Sequence, residues 1–112
     1  MENVYENVKK ELKPQAVKDA LELMWSRINE PDNLDKINGA KEEAGNDMIE
    51  VMKLVFPLVV DIQVEAVGKF GFPRNKDGLR DFLVRANELL ENDKDISEML
   101  IRIRSIYLPS YA

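Results

Sequence analysis

The sequence predicts an all-α fold, a small bundle of four to five helices around a long central helix bent at Pro57. Three observations carry this. Apolar residues recur at three- and four-residue spacings in stretches separated by turns rich in Pro, Gly, Asn and Asp. No alternating apolar and polar run bounded by turns argues for a strand. Residues 33–70 hold the longest helical pattern, and residues 51–67 are its most apolar part. As one straight helix these ~38 residues would span roughly 57 Å, against a radius of gyration near 13 Å for a domain of this size. Pro57 relieves the mismatch: it lacks a backbone donor and crowds the carbonyl of Lys53, so a kink or break is expected there.

The elements follow in order, as one domain over residues 1–112. Val4, Val8 and Leu12, with Tyr5 beside them, suit a short, loosely docked leading helix over residues 1–13, ended by Pro14. Pro14 opens the next helix, whose stripe is Val17, Ala20, Leu21, Met24 and Ile28. Leu23 and Trp25 fall off that stripe, which suits either a second contact surface or simple exposure. A turn over residues 29–33 leads to Asp32, the expected N-cap of the central helix. Gly39 and Gly45 weaken the first turns by about 1 kcal/mol each, so a separate opening turn is the alternative to one continuous helix.

From Met48 onward a 100° projection assigns Met48, Met52, Val55, Phe56, Val59, Ile62, Ala66 and Phe70 to a main apolar face. The other side holds Glu43, Asp47, Glu50, Asp61 and Glu65, interrupted by Val51, Leu54 and Leu58. Gly71 and Pro73 end the helix, with Phe72 packing back. Asn75 or Asp77 caps the next one, whose stripe is Leu79, Phe82, Leu83, Ala86, Leu89 and Leu90. Asp95 with Glu98 resembles a capping box for a last helix bearing Ile96, Met99, Leu100, Ile103 and Tyr107. Pro109 stops it and leaves residues 110–112 as a tail.

Composition narrows the function classes. Hydrophobic residues are 45% and charged residues 33%, the balance of a globular rather than a disordered chain. Cysteine and histidine are both absent, which removes thiolate nucleophiles, sulfur-ligated metals, and the commonest neutral-pH base and metal ligand. The net charge is −5; residues 1–70 carry 9 Lys and Arg against 14 Asp and Glu, while residues 71–112 carry 7 of each. No basic footprint for nucleic acid or an anionic membrane results. The N-terminus lacks the basic and apolar regions of a secretion signal, and Lys53, Asp61, Gln63 and Glu65 break the apolar run too often for a membrane span. The expected location is the cytoplasm, with nuclear access open.

Residue register excludes several specific chemistries. With Gly78 at the sixth position of a calcium loop, Pro73 and Val84 fall where carboxylates are required, so that reading fails. No glycine-rich phosphate loop exists, and Glu-x-x-His di-iron pairs are impossible without histidine. Glu43, Asp47 and Glu50, then Asp61 and Glu65, share a helical face, so a hard cation or acid–base work is the alternative to a solvated acidic surface. Arg80, Arg85, Arg102 and Arg104 are interspersed with acids and read as surface ion pairs, and Met24, Met48, Met52 and Met99 suit core filling or an adaptable peptide groove.

A surface helix needs one apolar stripe, whereas Val51, Leu54 and Leu58 lie where water should be. The leading helix, a second copy of the chain or a different protein is expected to cover them. The resulting expectation is a non-catalytic protein, without cofactors or metal, in an adaptor or assembly role. Its candidate contacts are Leu23, Trp25, Val51, Leu54 and Leu58, with Asn46 and Asp47 as polar neighbours, and a homo-oligomer is one form of it. The alternative is a metal-binding or enzymatic protein using the acidic face.

One ordered set of residues adds a resemblance. Pro31-Asp32-Asn33, Ala44-Gly45-Asn46-Asp47-Met48, Phe56-Pro57, Ile62-Gln63, Glu65, Phe70-Gly71-Phe72 and Tyr107-Leu108-Pro109 stand at intervals similar to those of the small eukaryotic protein C-ten family, over roughly residues 14–109. The loop at Pro73-Arg74-Asn75-Lys76 departs from that pattern, as does a tail without the long Pro-rich extension of vertebrate members. The resemblance implies a small cytoplasmic protein with no assigned enzymatic activity and supplies no catalytic residues. In vertebrates the family is associated with brain development, notably the corpus callosum; a short-tailed chain is expected to serve a more general cellular role.

Overall fold

Pro14 fixes the first described helix. In the computed structural model, which describes residues 12–108, α1 spans Pro14–Ile28 with Pro14 in its opening turn, where a missing N–H leaves no bond unmade. Its stripe of Val17, Ala20, Leu21, Met24 and Ile28 is buried as the spacing predicts. The expected leading helix around Val4, Tyr5 and Val8, and the tail at residues 110–112, lie outside the described residues. Leu12 is buried, and its carbonyl accepts from Arg85 Nε at 3.0 Å.

The central stretch is three helices rather than one. α2 spans Pro31–Ala44, α3 Met48–Leu54 and α4 Phe56–Gly68. Asp32 is not the N-cap expected of it. The pre-set φ of Pro31 starts α2 earlier, behind Glu30, and Asp32 sits inside the first turn. Gly45 ends α2 at φ 60, a left-handed backbone that favours glycine, and Asp47 restarts the chain. The break expected at Pro57 falls two residues earlier. Val55 closes α3 and opens α4, which places Pro57 in the first turn of α4, where its missing donor is harmless.

Past α4, Gly71 takes φ 93, and Phe72 folds back into the core, edge-on to Phe82 at 5.7 Å between ring centroids. α5 spans Lys76–Leu90, capped by the Asn75 side chain, which accepts from the Gly78 N–H at 2.8 Å. A Cβ at Gly78 would collide with the Pro73 carbonyl, so only glycine permits this close approach. α6 spans Lys94–Arg104, and its cap is Asp93 rather than the expected Asp95, with Oδ1 accepting from Asp95 N at 3.1 Å and Ile96 N at 3.3 Å. Tyr107, expected in the last helical stripe, lies in the turn that follows α6.

Helix α1 packs against α4 and α6 and touches α5, while α5 packs against α4 and α6. These four helices enclose the core, where Leu21, Met24, Val59, Val67, Phe82 and Ile96 are almost fully withdrawn from water. Each such side chain stabilises the fold by about 1.5–3 kcal/mol relative to exposure. Gln63 is the buried polar member among the described residues, its Nε2 donating to Met24 Sδ at 3.7 Å. Lys18 on α1 is tied to the start of α6 by Asp93 at 3.0 Å and Asp95 at 3.5 Å. The hydrogen bond to Asp93 holds the Lys18 ammonium above its ordinary range, and the same bond holds the Asp93 carboxyl below its own.

Among the described residues there is no strand, and no helix is long and apolar enough to cross a membrane. Helix α2 touches α1, α4 and α3 but buries only Ile37 and Ala44 fully, and among the described residues α3 packs against no helix other than α2 and α4.

Candidate functional site

The site develops from the way α3 is started and stopped. Asp47 accepts from Ile49 N at 2.9 Å and Glu50 N at 3.4 Å, satisfying donors that a new helix leaves unpaired. After the seven residues of α3, Val55 ends it, its own N–H still bonded to the Val51 carbonyl at 2.9 Å. Five of those seven residues are apolar, yet α3 fully buries none of its side chains.

The apolar faces of α3 are divided in a way the projection reversed. Val51 is half-buried and packs on the core, and Leu54 is half-buried at the junction. Met48, Ile49 and Met52 are exposed at 39%, 66% and 40%. The sequence places Met48 and Met52 on the core face, and the structure places them in solvent. The projection carried one helical phase through Val55, where the chain turns and the phase is reset.

A cleft of about 250 Å³ flanks this strip, lined by Lys41, Gly45, Asn46, Met48 and Val51 on one side and by Ser105, Ile106 and Tyr107 on the other. The Tyr107 ring stands edge-on to Phe56, 4.9 Å between centroids. Burial pushes the Tyr107 phenol above its ordinary range, partly offset by the Arg104 charge.

The sequence-derived candidates do not converge on one place. Asn46, Asp47, Val51 and Leu54 belong to α3 and its entry, and Leu58 on α4 is half-buried against the core. Leu23 and Trp25 lie on α1, which does not pack against α3. Trp25 is half-buried under the Arg102 guanidinium, 5.6 Å from the ring centroid, in a groove between α1 and α6. Sequence reasoning passed over Ile49, the most exposed large apolar side chain among the described residues. Its place two residues after a capping Asp was the available signal, because that register puts it away from the side where Val51 and Leu54 pack.

The acidic face is also split apart. Glu43 ends up on α2, Asp47 caps α3 and Glu50 lies 3.8 Å from Lys53. Asp61 and Glu65 share a groove with Arg27 and Lys69, and Glu65 lies 3.8 Å from Arg74. Among the described residues no three carboxylates converge as ligands for a metal ion. Arg80 pairs with Asp77 at 2.9 Å and Arg85 with Glu88 at 3.1 Å, as surface ion pairs.

These features define a class: a small all-α bundle whose distinguishing surface is a short apolar helix set beside the core. The particular family follows from comparison, since residues 13–112 match the Protein C10 family. The chain belongs to that family. It is 28% identical over 95 residues to Protein C10 of Xenopus laevis, covering 85% of this chain and 74% of the relative. To Protein C10 of Danio rerio it is 30% identical over 79 residues, 70% of this chain and 65% of that one. To Protein C10 of Homo sapiens it is 24% identical over 98 residues, 88% and 78% of the two chains. No solved structure matches it.

Proposed function

We propose that this chain is a non-catalytic cytoplasmic protein that works by binding another protein, in an adaptor or assembly role, through the exposed side of α3. One observation carries the reading. Of the six large apolar side chains left exposed among the described residues, three belong to the seven residues of α3. Apolar side chains scattered singly need no explanation, whereas three on one short helix form a contiguous strip of the kind that marks interaction sites. Asp47 and Val51 support it by fixing the helix beneath the strip, the first as cap and the second as anchor in the core.

The test is affinity purification from the native cell with the full chain and with its Ile49→Asp variant, after circular dichroism has verified equal helicity. A protein retained by the first and lost from the second supports the reading. Identical retention by both, or none by either, removes it.

A further inference from the structure

We infer that the occupant of the α3 strip is a basic amphipathic helix from a partner protein rather than a second copy of this chain; the inference rests on the interaction reading above and names the partner's chemistry. Charge supplies the first argument. Residues 30–50, which comprise α2, its entry and the start of α3, contain seven carboxylates against Lys36 and Lys41. Their balance of −5 equals the net charge of the whole chain, so everything outside this stretch is neutral in sum. The molecule's entire charge excess therefore lies on the element that leads into Met48, Ile49 and Met52. Glu42, Glu43 and Asp47 are exposed and immediately precede the strip, Glu50 flanks it on α3, and Lys53 is its nearest cation along the helix. A partner that brings Lys or Arg beside its apolar residues meets a complementary rim, whereas a second copy would set two acidic stretches against each other.

Size supplies the second argument. At the exposures given above, the three side chains show on the order of 300 Å², within the range of a functional patch on a monomer. A stable dimer needs about 800 Å² of total surface from each partner, so two copies would have to bury the acidic surroundings of the strip as well. A helix of two or three turns, with apolar residues at i, i+3 or i+4, and i+7, covers a strip this short. Two methionines suit such an occupant, since their unbranched side chains adapt to the shape presented to them.

The experiment uses the full chain labelled with ¹³C at its methionine methyls. It is titrated with two synthetic helical peptides sharing one apolar face, one flanked by Lys and Arg and the other by Glu and Asp. The basic peptide is expected to shift the Met48 and Met52 signals and leave that of buried Met24 in place. Converting both Glu42 and Glu43 to Lys should weaken binding about fivefold, and added salt should weaken it further. Equal or tighter binding of the acidic peptide, binding of neither, or shifts with protein concentration alone and a doubled mass in light scattering would each overturn the inference. If the native partner is lost from Ile49→Asp while neither peptide binds, the interaction reading stands and only the partner's chemistry is wrong.

Discussion

The four-helix core and the α2–α3 arm are made from the same kinds of residue and use them in opposite ways. Helix α1 buries five of its fifteen side chains and α4 five of thirteen, each along a stripe facing the other helices. Helix α2 buries two of fourteen and α3 none of seven. Yet α3 is apolar at five positions in seven, a denser apolar content than the amphipathic α5. Apolar composition therefore does not by itself place a helix in the core; neighbours on enough sides do, and among the described residues α3 has two helical neighbours.

The sharpest way to break this contrast is a pair of truncations. Phe82→Ala, at a fully buried site in α5, should lower the unfolding free energy by about 3–5 kcal/mol in urea titration. Ile49→Ala should change it by no more than about 0.5 kcal/mol. Comparable losses at the two sites would mean that the arm is core after all. A second measurement, amide hydrogen exchange, should show α2 and α3 opening at free energies at least about 1–2 kcal/mol below those of α5, because they hold fewer buried contacts.

The smallest effect concerns the seam between α1 and α6. Asp93 is held below its ordinary carboxyl range by Lys18, so its contribution is present above the ordinary value and is lost as pH falls through the depressed one. Lys18 is held above its ordinary range, so its share is present at neutral pH and is lost only as pH rises through that higher value. Asp93→Asn should therefore lower the melting temperature near neutral pH, and the difference from wild type should shrink below about pH 4. An unchanged difference across that range would show that the ionised carboxylate of Asp93 is not the source of the loss.

The core was legible in the sequence where its helices carry one stripe in one phase, as α1, α5 and α6 do; α4 also buries Val60, Gln63 and Val67, which the projection left off its main face. Every residue assigned to the α1 stripe is buried, and Ile96, Leu100 and Ile103 keep their expected places in α6. The arm was less legible for a geometric reason. The break at Val55 resets the helical phase, so a face counted through it was assigned to the wrong side at Met48 and Met52. Helix starts depended on competition between neighbours: Pro31 displaced Asp32, and Asp93 displaced Asp95. The candidate contacts mixed α1 with α3 because spacing along a chain carries no information on which helices meet.

Val55 gives the bend a mechanical meaning. It is a single residue shared by the end of one helix and the start of the next, and its side chain is fully enclosed. A joint that swings needs a pivot free to turn, whereas this one has its pivot buried within the packed core. Any tilt of α3 would have to drag the valine through packed neighbours, so the methionines and Ile49 are held out at a fixed attitude, as a rigid shelf rather than a flap.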